Sequence, residues 1–187
     1  MRYRGLNLTV IWLLIAVNFL FFIATSINQD LIPVLGLQPA SFLDRPWTIV
    51  TNLFVHGGPW HILGNMLTLY FFGSFLCQLI GTRKFLITYF VGGILGNIFY
   101  ILILPSSLPA IGASGAIYAL AGALVVMMPN LRVLLYFIVP MPLWVVVLVF
   151  FVLWSFIPGV AWQAHLGGLV FGLIAGYYFR KRGRYLL

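Results

Sequence analysis

The sequence predicts an all-α membrane protein, a bundle of six transmembrane helices whose fourth helix is short and central. Three observations carry this. Of 187 residues, 63% are hydrophobic and 6% charged, and mean hydropathy is +1.12. Apolar runs of spanning length recur along the chain, and the basic residues cluster between them. A soluble domain carries about 25% charged residues, so this composition cannot coat a water-facing surface. The reading excludes a soluble domain, a disordered chain and a disulfide-stapled module. The single cysteine, Cys77, can form no internal disulfide.

A spanning helix needs about 20 mostly apolar residues, and six segments are predicted: 8–26, 60–80, 85–104, 115–128, 133–155 and 162–179. They make residues 1–187 one six-helix transmembrane domain. The first follows Arg2 and Arg4 but is too long for a secretory h-region, so it is expected to be an uncleaved signal anchor. Residues 27–59, rich in prolines and carrying Trp47 and Gly57-Gly58, are expected to lie as a loop in the outer interface. Six crossings put both termini on one side. Arg2, Arg4, Arg83, Lys84, Arg132, Arg180, Lys181, Arg182 and Arg184 then share a compartment, leaving only Arg45 of the ten basic residues opposite. By the positive-inside rule that compartment is the cytoplasm, in a multi-pass cell-membrane protein. The net charge of +8 therefore reads as membrane-flanking anchors rather than a nucleic-acid surface.

The fourth segment departs from the pattern. Pro105-Ser-Ser-Leu-Pro-Ala-Ile-Gly-Ala precedes it and Pro129-Asn130 follows. Between them about 14 residues rise roughly 21 Å, against a hydrocarbon core of about 30 Å. Irregular chain at membrane depth survives only where protein buries it or it lines a watery cavity. The expectation is an aqueous recess open to the outside, with Ser114 at its floor. His165 lies roughly 22 Å from the cytoplasmic interface if the sixth helix is regular back from Arg180, which matches the depth of Ser114. His61 and Asn65, four apart, share one face of the second helix.

An ionisable residue inside a membrane is by default a functional candidate. Asp30 and Asp44, the only acids, fall in the outer loop, which removes aspartyl protease chemistry. The chain has no Glu for a His-Glu-x-x-His metal site, and Cys77 lies toward the cytoplasmic end of its helix. Serine chemistry remains, with Ser114 activated by His165 as a dyad, since no acid is available to orient the histidine. Gly112 and Gly115 flank Ser114 with room for a sharp turn and an approaching carbonyl. A helix N-terminus there favours a developing oxyanion, to which His61 and Asn65 can donate. Tyr118, one turn below Ser114, is expected to hold the His165 ring. Gly168, Gly172 and Gly176 form a small face matched by Gly115, Ala119 and Gly122, letting the two helices approach closely. Gly92-x-x-x-Gly96 reads as a packing face, Cys77 as a small core residue and His56 as an interfacial loop residue. Trp144, Phe150, Phe151 and Trp154 read as lipid-facing or interfacial.

Gly112-Ala-Ser114-Gly, Ala164-His165-x-x-Gly168-x-x-x-Gly172 and His61-x-x-x-Asn65, in order on the fourth, sixth and second helices, resemble the rhomboid intramembrane serine proteases. The resemblance spans essentially the whole chain, as the compact six-helix core. It implies Ser114 as nucleophile, His165 as general base, and His61, Asn65 and the Ser114 N–H as the oxyanion hole. It implies no metal or other cofactor. Two positions depart from the family pattern: Trp47 is followed by Thr48 where an Arg is usual, and Cys77 stands where a Glu is common. The expected activity is cleavage of transmembrane segments near the outer face. Substrates would enter from lipid between the second and fifth helices, with Phe156-Ile-Pro-Gly-Val-Ala161 able to cap the site. The competing expectation is a non-catalytic relative that binds transmembrane partners, or a small transporter, although the chain shows no clear internal repeat.

Overall fold

The computed structural model describes residues 8–103, 108–135 and 138–182. Expectations resting on Arg2, Arg4, Arg184 and the 105–107 stretch lie outside those residues. Among the described residues three helical runs are long and apolar enough to cross a membrane: Thr9–Ile27, Pro59–Ile80 and Thr82–Leu102. The first is α1. The second opens with Pro59 at the first helical position as α4 (Pro59–Thr68), passes through one π-helical turn at Leu69–Gly73, and continues as α5 (Ser74–Ile80). Gly81, at φ +82°, ends it, and Thr82–Leu102 follows at once as α6.

The segment between α1 and α4 is more ordered than a simple interfacial loop. It holds α2 (Leu31–Leu35), a 3₁₀ turn at Pro39–Ser41, α3 (Thr48–Thr51) and a second 3₁₀ turn at Asn52–Phe54. A helix as short as α2 leaves its last carbonyls without internal donors. Three side chains supply them. Arg45 Nη1 donates to Pro33 O at 2.8 Å, Trp47 Nε1 to Val34 O at 3.0 Å and Thr51 Oγ1 to Leu35 O at 2.7 Å. Thr48, at the position where the family pattern has Arg, is buried and donates to Arg45 O at 2.7 Å. Arg45 and Trp47 thus fasten this segment without the usual adjacent pair.

The remaining helices are α7 (Ser114–Met127), α8 (Leu143–Ser155) and α9 (Trp162–Arg182). The expected fifth span, 133–155, is corrected at its start. Arg132–Leu135 and Val139–Pro142 form an antiparallel hairpin, and helix begins only at Leu143. Pro140 and Pro142 explain the difference, because each lacks an N–H and disfavours helical geometry in the residue before it. The sixth helix runs past its expected end at 179 to Arg182. Arg180 there donates to Val126 O at the end of α7, at 3.2 Å.

Glycine sets the approach of α6, α7 and α9. A Cβ on Gly168 would stand 2.0 Å from Gly115 O, one on Gly172 2.1 Å from Ala119 O, and one on Gly176 2.6 Å from Ala123 O. The same stripe of α9 therefore meets three successive turns of α7 backbone. On its other side a Cβ on Gly167 would lie 2.9 Å from Gly96 Cα, and a Cβ on Gly92 would strike Ala119 Cβ at 2.2 Å. Lipid gives helices no hydrophobic drive to associate, so close backbone packing of this kind supplies the cohesion. Cys77 is buried in the core, its Sγ 3.8 Å from Thr82 Oγ1 across the α5–α6 junction.

Gly168→Ala is expected to destabilise the protein by about 3 kcal/mol or more, at or beyond the upper end of overpacking costs, because backbone carbonyl cannot move aside as a side chain would. Gly64→Ala, whose Cβ would meet nothing within 4 Å, is expected to leave stability unchanged or slightly raised. Thermal unfolding of the two variants in detergent checks the pair.

Candidate active site

Ser114 is the first residue of α7 and stands at a turn that only the preceding sequence allows. Gly112 adopts φ +115°, a conformation that side chains strain against. Its N–H donates to Asn52 O at 2.9 Å, and Ala110 exchanges backbone hydrogen bonds with Leu37 at 2.8 and 3.0 Å. The chain therefore enters α7 pinned at two points to the segment between α1 and α4. As the opening residues of a helix, Ser114 and Gly115 carry N–H groups with no acceptor inside it. Ser114 is half-buried, and Gly115 is buried against Ala164 of α9.

His165 lies in the first turn of α9 and is buried. Its Nε2 stands 2.8 Å from Ser114 Oγ, joining two helices through residues 51 apart in the chain. Its Nδ1 is buried with no hydrogen-bond partner among the described residues. Tyr118 holds the ring from one side, stacked at 4.6 Å between centroids and 29° between planes. Phe151 of α8 meets Tyr118 edge-on at 6.0 Å, so this aromatic turns inward where the sequence suggested a lipid-facing residue. Trp144 is half-exposed as expected.

The expected oxyanion donors His61 and Asn65 sit on α4. A Cβ on Gly112 would lie 2.7 Å from His61 Nε2 and 3.8 Å from Ser114 Oγ, which sets the His61 ring directly against the turn. Gly57 N–H donates to His61 Nδ1 at 3.3 Å. An imidazole that accepts at Nδ1 carries its hydrogen on Nε2, the atom facing the turn. Asn65 is buried one helical turn along, and its amide donates to His61 O at 2.9 Å.

His56 differs from the interfacial loop residue the sequence suggested. It is 2% exposed, with its ring edge-on to His61 at 5.0 Å. Its Nδ1 lies 3.3 Å from Phe54 O, and its Nε2 is buried without a partner among the described residues. Burial, reinforced by the His61 imidazole, pushes its pKa down to about 4 against a weaker opposing pull from the Phe54 carbonyl. The sequence reading also missed a buried amide pair. Asn52 Nδ2 donates to Asn97 Oδ1 at 3.0 Å while Asn97 Nδ2 donates to Asn52 Oδ1 at 2.8 Å and to Ile49 O at 2.8 Å. A polar amide inside an apolar helix is a signal for Asn97. No spacing rule links it to Asn52. The 156–161 stretch lines a cleft of about 270 Å³ with Tyr100, Pro109, Trp162 and Gln163.

A hydroxyl hydrogen-bonded to an imidazole, beside free helix N–H groups and a second imidazole donor, can generate an alkoxide-like nucleophile and stabilise the anion its attack creates. Residues 43–182 match the model of the Rhomboid domain. Among similar proteins, the mitochondrial rhomboid protein 1 of Saccharomyces cerevisiae is 30% identical over 154 residues, covering 72% of this chain and 42% of that protein. Rhomboid-like protease 3 of Toxoplasma gondii is 29% identical over 186 residues, covering 92% of this chain and 70% of its own. The putative rhomboid protease YdcA of Bacillus subtilis is 32% identical over 142 residues, covering 74% and 71% respectively. The chain thus spans under half the length of the yeast protein and about seven-tenths of the other two.

The depressed His56 pKa sets a sign for stability against pH. Below the ordinary value of 6.5 the unfolded chain takes up a proton that the folded chain refuses until about pH 4. Stability is therefore lost as pH falls through that window. Thermal unfolding from pH 7 to pH 4 is expected to show a shallower decline in His56→Gln than in the wild type. Parallel declines would place the sensitivity elsewhere.

Proposed function

Because this chain belongs to the rhomboid family, we propose that it is an intramembrane serine endopeptidase in which Ser114 and His165 form the catalytic dyad. Relatives named as proteases support an intramembrane peptidase. The 2.8 Å contact between Ser114 Oγ and His165 Nε2 is the observation that carries the finer reading. Ser114 Oγ attacks the scissile carbonyl carbon as its proton passes to His165 Nε2. The oxyanion is held by the Ser114 N–H, His61 Nε2–H and the Asn65 amide. His165 then protonates the leaving amine, which departs and leaves an acyl-enzyme. Water attacks the ester, giving its proton to His165, and Ser114 leaves with that proton restored.

With no carboxylate at hand, the tautomer rests on the reaction itself and the ring orientation rests on Tyr118. A stacked aromatic fixes a plane without adding charge, which suits a base that must be neutral before each attack. The proposed topology is six spans with both termini cytoplasmic, α7 as the short central helix and the site opening outward. Transmembrane segments are the proposed substrates, entering from lipid between the second and fifth spans. A helix keeps its scissile carbonyls hydrogen-bonded, so segments with Gly, Pro or polar breakers near the outer face are favoured.

Purified Ser114→Ala protein is expected to lose cleavage of a transmembrane model substrate by about a thousandfold or more, since the nucleophile and its base act as a unit. Activity at the wild-type level would overturn the reading. Wild-type cleavage is expected to fall on acidification, because an imidazolium cannot accept the Ser114 proton. A rate that never falls on acidification while the protein stays folded would remove His165 from the role of base.

A further inference from the structure

The reciprocal Asn52–Asn97 amide pair joins the two parts of the molecule that the α7 entry hangs from. Both residues are 2% exposed. Asn97 lies in α6, while Asn52 opens the 3₁₀ turn at the end of the segment between α1 and α4. Asn52 uses three of its groups on this junction. Its side chain exchanges both hydrogen bonds with Asn97, its Nδ2 also reaches Ala110 O at 3.4 Å, and its own carbonyl accepts the Gly112 N–H at 2.9 Å. Asn97 in turn holds Ile49 O at 2.8 Å, fixing α3 to α6.

We infer that this pair is a positioning element for the reaction proposed above: it sets the Gly112 peptide, and through it the direction of the Ser114 N–H and the Ser114 side chain. The pair touches neither substrate nor reacting atoms. Its influence runs through one backbone hydrogen bond, Gly112 N–H to Asn52 O, into a glycine that has no Cβ to restrict its backbone and stands at φ +115°. A glycine in that position stays in one conformation only if its neighbours hold it. The amides are suited to the task because each satisfies the other's donor and acceptor in a buried site, where an unmatched group is costly. Removing one amide leaves its partner unsatisfied and frees Asn52 to turn. The Gly112 N–H then loses a fixed acceptor, and the donors aimed at the oxyanion lose their register.

The inference rests on Ser114 being the nucleophile, so the test separates the two. Cleavage of a transmembrane model substrate is measured for wild type, Asn97→Leu and the smaller change Asn97→Asp, which keeps an acceptor but loses both donors. Hydrogen exchange at the Gly112 amide is followed in glycine-labelled protein of each. A misplaced site loses rate about tenfold to a hundredfold. The expected result is a fall in kcat of that size with KM within about twofold, since the substrate still binds. Gly112 exchange should accelerate in both variants at temperatures where each remains folded. Asn52→Leu combined with Asn97→Leu should lower kcat no further than the worse single change, because the two act as one unit. Wild-type kcat in both folded Asn97 variants overturns the inference alone, as does a loss of rate that only tracks the unfolded fraction. Unchanged Gly112 exchange also overturns it. A wild-type protein that fails to cleave overturns the inference together with the reading beneath it.

Discussion

Everything at the site depends on how closely α9 can lie against α7. The carbonyl oxygens of Gly115, Ala119 and Ala123 lie 2.0, 2.1 and 2.6 Å from where Cβ atoms on Gly168, Gly172 and Gly176 would stand. A larger residue at any of these would push the helices apart by the width of a methyl group. The Ser114–His165 contact bridges the same two helices at their N-terminal ends, one residue from Gly115 and three from Gly168. Its hydrogen-bond distance is therefore a consequence of the glycine stripe rather than a separate feature. In lipid, where apolar surface gains nothing by meeting apolar surface, such contact is the cohesive force available to three helices at once.

A second constraint follows from having almost no acid in the chain. A histidine base is commonly oriented by a carboxylate, and burying one here would add a charge to a site within the bundle. Position is instead given by shape, with Tyr118 stacked on His165 and Phe151 backing Tyr118. On the other side, a backbone turn is fixed by amides and main chain: Leu37 to Ala110, Asn52 to Gly112, and Asn97 to Asn52. Neutral hydrogen bonds cost less to bury than ions when every donor finds an acceptor. The segment between α1 and α4 follows the same economy, with Arg45, Trp47 and Thr51 used on the bare carbonyls of α2.

What the residues revealed before any coordinates divides along the length scale of the interaction. Helical periodicity and small-residue spacing are local, so the α7–α9 face and the His61–Asn65 face were legible. Matching the depths of Ser114 and His165 needed only the helical rise, counted back from Met128 and Arg180. The fifth helix starts later than hydropathy predicts, because hydropathy alone does not separate an apolar strand from an apolar helix; the signal for the hairpin is Pro140 and Pro142. His56 was placed in the interface because Gly57-Gly58 marks a loop, yet its ring is packed against His61. The Asn52–Asn97 pair joins residues 45 apart through a tertiary fold, and no one-dimensional pattern encodes that contact.

The central claim is that Ser114 is a nucleophile because His165 takes its proton. Mass spectrometry of the protein after exposure to a fluorophosphonate, in membranes at neutral pH, tests it most directly. Displacement of fluoride should leave a phosphonyl group on the Ser114 peptide and on no other serine, and His165→Ala should abolish the adduct while the protein remains folded. A Ser114 peptide that stays unmodified in the wild type, or one modified equally without His165, would contradict the account.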